Sequence, residues 1–247
     1  MSGHSKWSQI KRQKGAADVK RGVLFTKMTR EIMLAAREGG PEPEANFRLR
    51  LAIDRARAVN MPMANIERAI DRATGGGDGA ALESVVYEGY APGGISVMVE
   101  AATDNRNRTA SEIRAAFTKF GGKLGESGSV QWLFEQKGMI EIDAHGRSAD
   151  DVQLVAIDAG AEDVEVDGSL ITVYTTPTAF EGVKKAIETA GIPVSSAEIS
   201  MRPTNSVRVE GDHAQKVLRL VESLEELDDV QKVHANFDIP VEVLQHA

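Results

Sequence analysis

The chain has 247 residues, of which 42% are hydrophobic and 27% are charged, so it is long enough to bury more than one core. It contains no cysteine, which excludes disulfides, thiolate metal sites and a cysteine nucleophile. No apolar run approaches the ~18 residues that a membrane helix needs, and the N-terminus lacks the apolar segment of a signal peptide. These features predict a cytoplasmic protein with no membrane partner.

Charge is distributed unevenly along the chain, whose formal net charge is −8. Residues 1–30 contain eight Lys and Arg and one acidic residue, which gives +7. Residues 76–247 contain 14 basic and 29 acidic residues, which gives −15. A basic segment attached to an acidic body is typical of an electrostatic arm that binds a polyanion locally.

The first part of the chain has the pattern of an arm followed by helices. Residues 2–17 hold too few apolar side chains to offset the cost of ordering the backbone, so we expect an arm there. Apolar residues at spacings of three and four then predict helices over 18–39, 44–59 and 63–73, with Gly or Pro after each. These helices predict a small three-helix domain.

From about residue 78 onward, strand patterns alternate with helix patterns. Helices are predicted over 108–122, 148–160, 177–191 and 212–227. Strands are predicted over 95–103, 129–136, 138–144, 194–203, 206–211 and 230–239, with a hairpin over 162–176. Residues 138–203 thus follow the β-α-β-β-α-β order of a ferredoxin-like unit, and the flanking segments supply the parts of a second one.

The fold class predicted from these patterns is α+β. Residues 1–77 form the basic arm and the helical domain. Residues 78–136 and 204–247 form a discontinuous ferredoxin-like α/β domain, and residues 137–203 form a second ferredoxin-like domain inserted into it.

The basic arm is the first candidate binding site. Its Lys and Arg side chains can neutralise phosphates and release counterions, and Trp7 offers a ring on which an unpaired base can stack. The alternative is a tail that merely confers solubility, which the near absence of acidic residues disfavours. The predicted nucleic-acid-binding residues are Lys6, Trp7, Lys11, Arg12, Lys14, Lys20, Arg21, Lys27 and Arg30.

Two loops are secondary candidates. "YEGYAPGG" (87–94) carries Tyr87 and Tyr90, and it is either a packed aromatic turn or a surface loop for stacking. "TDNRNRT" (103–109) lies between a strand and a helix. Its Asn105, Arg106 and Arg108 form either an ordinary N-cap turn or a polyanion contact.

Signals for enzymatic chemistry are weak. The five His residues are scattered and match no metal-ligand spacing, and no G-x-S-x-G nucleophile elbow is present. The sequence therefore predicts no catalytic residue, metal site, cofactor or small-molecule substrate.

Several motifs resemble those of the YebC/PmpR family of bacterial regulators, whose mitochondrial relatives are translational activators. They are "GHSKWSQIKRQKGAADVKRGVLFTKMTREI", "YEGYAPGG", "TDNRNRT" and "FGGKLGESGSVQWLFE". The resemblance implies three domains, nucleic-acid binding through the arm and no catalytic residue. One departure is Gln13, which replaces a basic position of the family's arm motif.

The resemblance implies two alternative functions. One is a DNA-binding transcriptional regulator, and the other is a ribosome-associated translation factor that binds ribosomal RNA and relieves stalling, notably at proline runs. The acidic body disfavours wrapping of duplex DNA, and the third helix offers only Asn65, Arg68 and Arg72 as readers of a major groove. An irregular RNA suits a Lys- and Trp-containing arm at least as well.

Overall fold

The computed structural model describes residues 21–75, 82–144, 146 and 148–239. Within these residues the chain forms seven α-helices and antiparallel sheets, and it divides into two compact units. One unit is residues 133–204, and the other comprises 21–132 and 205–239 without the gap at 76–81. N-terminal helices followed by sheet domains confirm the predicted α+β class. None of the helices among these residues combines the length and the apolar character needed to cross a membrane.

The larger unit begins with three helices packed around an apolar core. Ile32, Leu49 and Ile66, one from each helix, are fully buried there. Asn46 fixes the first connection, because its side-chain oxygen accepts from the Leu49 amide at 3.0 Å as an N-cap and its amide donates to Ala35 O at 2.7 Å. The helices are α1 (Arg21–Gly39), α2 (Phe47–Ala58) and α3 (Met63–Thr74).

The rest of the larger unit is a four-stranded sheet with order β3-β1-β2-β9, together with two helices and a short parallel pair, β8 and β10. Phe117 of the first helix and Val221 of the second lie in one buried cluster with Val97 and Val99 of the sheet. The elements are β1 (Glu83–Ala91), β2 (Ile95–Thr103), α4 (Arg106–Lys119), β3 (Lys123–Leu124), β8 (Val207–Arg208), α7 (Gly211–Glu225), β9 (Val230–Ala235) and β10 (Phe237–Asp238).

The Tyr-Gly segment differs from its predicted loop. Tyr87 to Ala91 complete β1, which pairs with β2 over its whole length, so that only residues 92–94 form the turn. Gly89 belongs in this strand because a Cβ there would lie 2.8 Å from the Phe117 ring and 2.7 Å from Lys123 O. Glycine is therefore a close-packing residue at this position rather than a turn signal.

The strand predicted over 129–136 is wrong in its first part. Gln131–Leu133 form a single 3₁₀ turn, and the strand that follows begins at Phe134 and belongs to the smaller unit. The four-stranded sheet of the larger unit begins instead with the β1-β2 hairpin. Its second strand was predicted from the sequence, and its first strand was not.

The smaller unit has the ferredoxin-like arrangement. Its elements run β-α-β-β-α-β, and its four strands are antiparallel in the order β5-β6-β4-β7, which is the 4-1-3-2 order read backwards. The elements are β4 (Phe134–Asp143), α5 (Ala149–Asp158), β5 (Asp163–Asp167), β6 (Leu170–Thr175), α6 (Phe180–Thr189) and β7 (Val194–Pro203). A subdivision of the larger unit into a helical and an outer α/β domain, with the boundaries given above, stays a prediction.

Candidate nucleic-acid interface

Most of the predicted arm residues lie outside the described part of the chain. Arg21 begins the described part of α1, and among the predicted arm residues only Lys27 and Arg30 have described side chains. The predicted residues outside the described part are Lys6, Trp7, Lys11, Arg12, Lys14 and Lys20.

Lys27 and Arg30 make contacts within the protein. Lys27 is buried, with 9% of its surface exposed, and its ammonium donates to the main-chain carbonyl of Glu225, the last residue of α7. Arg30 donates to the carbonyl of Asp228 and forms an ion pair with Asp229 at 2.7 Å. Positive charges are favourable at a helix C-terminus, where carbonyl groups lack intrahelical partners. These two cations therefore dock α1 against the end of α7.

Asp229 is the centre of this contact and was not singled out by sequence reasoning. It is 2% exposed and accepts from Thr109 Oγ1 at 2.6 Å, from Thr103 Oγ1 at 3.2 Å and from Arg108 at 2.7 Å, besides the Arg30 pair. Burial alone would raise the pKa of this carboxyl group. The hydrogen bonds from Thr109 and Arg108 and the two positive charges outweigh burial and hold the pKa below its usual value.

The Asn-Arg loop has the geometry of an N-cap turn. Asn105 Oδ1 accepts from the Arg108 amide at 3.1 Å, and Arg106 pairs with Glu83 at 2.6 Å. Arg108 pairs with Asp104 at 2.8 Å and with Asp229, and both carboxylates raise the pKa of its guanidinium. Both arginines therefore already have protein partners.

The two tyrosines of the Tyr-Gly segment lie three residues apart on a strand and so point to opposite faces of the sheet. Tyr87 donates to the carbonyl of Arg106 at 3.1 Å, and burial raises the pKa of its phenol. Tyr90 is 40% exposed and donates to the carbonyl of Ser129 at 3.1 Å. The structure does not bring the two rings together.

Glu88, which lies between these tyrosines, organises the loop before the 3₁₀ turn. The residue is 2% exposed, and its carboxylate accepts from the amides of Gly128 at 2.6 Å, Val130 at 2.6 Å and Gln131 at 2.8 Å. Burial opposes ionisation, but the three amides outweigh it, so the pKa of Glu88 lies below its usual value. No sequence signal marked Glu88 for this role, because its three partners are amides of a loop about 40 residues further along the chain.

Replacing Glu88 by glutamine is expected to loosen this loop. Glu88→Gln removes a charge-assisted acceptor, which is worth about 2 kcal/mol, or about a 30-fold increase in local opening. Hydrogen exchange at the amides of residues 128–131 measures the effect, and Glu83→Gln on the exposed end of the same strand is the control.

The pH dependence of this difference follows from the lowered pKa. Stabilisation by the Glu88 carboxylate is fully present above the unfolded pKa of about 4.3 and is lost as the pH falls through the folded value. The difference between wild-type and variant exchange should therefore shrink below about pH 4. Equal exchange in the two proteins at neutral pH would refute the role of Glu88.

Beside Asp229, the larger unit has an open cleft of about 500 Å³. Five of its eight lining residues are acidic, and Arg30 and Arg108, the basic ones, are bound to Asp229. An acidic cleft is unsuited to a polyanion. Within the described ranges, no group of three or more His, Asp or Glu side chains is arranged to hold a metal ion.

Both parts of the chain match domain models of the same protein family. Residues 5–76 match the model of the TACO1/YebC protein N-terminal domain, and residues 82–237 match that of the TACO1/YebC second and third domain. A protein of Roseiflexus castenholzii is 54% identical over 250 residues, and one of Rubrobacter xylanophilus is 56% identical over 245; each alignment covers 99% of this chain and 98% of the relative. Both are named "Probable transcriptional regulatory protein".

A solved structure is also similar. The crystal structure of a conserved hypothetical protein from Aquifex aeolicus aligns with a TM-score of 0.84 and 51% identity, and the alignment covers 90% of this chain and 92% of that one.

Proposed function

Because the chain belongs to the TACO1/YebC family, we propose that it is a non-enzymatic regulator of gene expression that binds nucleic acid through its basic N-terminal segment. Relatives more than half identical to it are named probable transcriptional regulatory proteins. The first candidate function is accordingly transcriptional regulation in the cytoplasm, with DNA as the ligand. No cofactor or substrate is part of it.

The observation that carries the proposal is the separation of charge along the chain. Residues 1–30 hold +7, whereas residues 76–247 hold −15. The acidic part repels a phosphate backbone and the basic segment attracts it, so binding is confined to a short region.

The docking of α1 reduces the number of basic residues that are available to bind nucleic acid. Lys27 and Arg30 hold α1 against α7, so their charges serve the fold. Asn105, Arg106 and Arg108 are likewise engaged in capping or ion pairs within the protein, and the Tyr87 ring is half-buried, which makes these four residues weak candidates. The proposed contacts are Lys6, Trp7, Lys11, Arg12, Lys14, Lys20 and Arg21.

Ribosomal RNA is the second candidate ligand, with a role in relieving stalled translation. Two observations favour it, namely the strongly acidic remainder of the chain and the tryptophan inside the basic segment. An acidic body cannot wrap a duplex, whereas an irregular RNA presents unpaired bases on which Trp7 can stack.

Removal of residues 2–20 tests the proposal and keeps every described residue of α1. Full-length and truncated proteins would be titrated with duplex DNA and with an RNA hairpin near physiological salt. The truncated protein is expected to lose most of its affinity for both, because the cations that release counterions are gone. A larger loss on RNA than on DNA would favour the second candidate, and equal binding by the two proteins would overturn the proposal.

A further inference from the structure

Trp132 is an unusual surface residue. It is 73% exposed, the highest exposure of any large hydrophobic residue in the described part of the chain. The protein has two tryptophans, so this residue type is scarce, and a large aromatic side chain normally gains free energy by burial. A tryptophan held in solvent suggests a surface that a ligand covers.

The ring of Trp132 is held in position by hydrogen bonds. Its indole Nε1 donates to the carbonyl oxygen of Ser129 at 3.2 Å, and the hydroxyl of Tyr90 donates to the same oxygen at 3.1 Å. Both exposed aromatic side chains therefore meet at one atom. Glu88 binds the amides of Gly128 and Val130, on either side of Ser129, and so fixes the loop that carries this carbonyl. Such preorganisation lowers the entropy that binding costs.

A positive charge lies beside the Tyr90 ring. Lys123 on β3 is the cross-strand partner of Tyr90 on β1, and directly opposed residues share one face of a sheet with their Cβ atoms about 5 Å apart. Lys123 is exposed, and no described residue forms an ion pair with it. Two acidic residues lie near this loop. The buried carboxylate of Glu88 accepts from three amides, and Glu126 is exposed.

We propose that Trp132, Tyr90 and Lys123 form a binding site for an unpaired nucleotide of single-stranded RNA. Trp132 stacks on the base, and Lys123 pairs with the adjoining phosphate. A duplex offers no free base face, so the site selects loops and single strands. The inference rests on the proposed nucleic-acid binding and adds a second contact, separate from the basic segment.

Fluorescence of a single-tryptophan protein tests this site. Full-length Trp7→Phe protein keeps Trp132 as its sole tryptophan, and a short oligouridine is the probe. Titration is expected to quench the Trp132 emission, with the same midpoint as the fluorescence anisotropy of labelled oligouridine. A DNA duplex of equal charge is expected to leave the emission unchanged. Quenching by oligothymidine, measured in the same way, shows whether the site distinguishes single-stranded RNA from single-stranded DNA.

Substitutions at the same position supply an affinity readout. Trp132→Ala in the Trp7→Phe protein is expected to weaken oligouridine binding about 5- to 150-fold, the range measured for loss of one stacked base. Trp132→Phe keeps an aromatic face and should retain most of the affinity. Leu154→Ala, at a residue 61% exposed in the smaller unit, is the control and should change nothing.

The outcomes separate this site from the proposed function. Oligouridine binding seen by anisotropy, without quenching of Trp132 and without loss in Trp132→Ala, would overturn the stacking site and leave the proposed function standing. Failure of the full-length protein to bind either oligouridine or duplex DNA would overturn both.

Discussion

Alanine at Lys11, Arg12 and Lys14 together is expected to weaken binding to every nucleic acid tested and to flatten its salt dependence. Each phosphate contact releases about one counterion, so the slope of log affinity against log salt should become less negative by about 3. Because phosphate contacts carry no sequence information, the loss should be similar for unrelated sequences. Titrations at several salt concentrations measure both effects.

A matched control separates local contact from overall charge. Alanine at Lys185, Lys216 and Arg219 removes the same three positive charges from exposed positions outside the basic segment. This variant is expected to keep the wild-type slope. An unchanged slope in the Lys11, Arg12 and Lys14 variant, or equal changes in the two variants, would refute the role of the basic segment.

Asp229→Ala is expected to cost about 3 kcal/mol of stability, near the lower end of the effect of breaking a buried ion pair. The substitution leaves Arg30 without its carboxylate and removes the acceptor of the buried Thr109 hydroxyl. The cost stays near the lower end because Arg108 is 42% exposed and water can solvate it. Urea unfolding followed by circular dichroism measures the change.

Asp104→Ala is the control for this experiment, because Asp104 pairs with the same Arg108 but is 48% exposed. An exposed pair is worth about 0–1 kcal/mol, so this variant should remain near wild type. Equal costs for the two variants would contradict the central role of Asp229.

Acid should reduce the effect of the Asp229 substitution. The folded pKa of Asp229 is lowered, so its stabilisation is complete above the unfolded pKa of about 3.9 and is lost as the pH falls through the folded value. The free-energy difference between wild type and Asp229→Ala should therefore shrink below about pH 4.

Elements marked by local signals could be predicted from the sequence. The three N-terminal helices carry apolar spacing and Gly or Pro boundaries, and the smaller unit carries the strand and helix order of its fold. The strand at Tyr87–Ala91 was missed because Gly89, a turn signal locally, is required there by the Phe117 ring of a distant helix. Tertiary packing overrode the local signal at that position.

The contacts that dock α1 against the end of α7 could not be predicted in the same way. Lys27 and Arg30 read as arm cations, but their partners Glu225 and Asp228 lie 198 residues further along the chain. Asp229 was not singled out from the sequence, because its partners come from α1, β2 and α4. Such contacts depend on which distant segments of the chain the fold brings together. The number and order of charges along the sequence do not give this information.

Sedimentation through a sucrose gradient near physiological salt, starting from native lysate, tests most directly whether the basic segment carries the protein to nucleic acid. Tagged full-length protein and the variant lacking residues 2–20 would run in parallel, with ribosomes and chromosomal DNA assayed in each fraction. The full-length protein is expected to co-sediment with a nucleic-acid-containing particle, and the truncated protein is expected to stay near the top. Co-sedimentation with ribosomes would identify RNA as the ligand, and recovery with DNA would support the transcriptional role. Identical profiles for the two proteins would show that the basic segment does not carry the protein to nucleic acid.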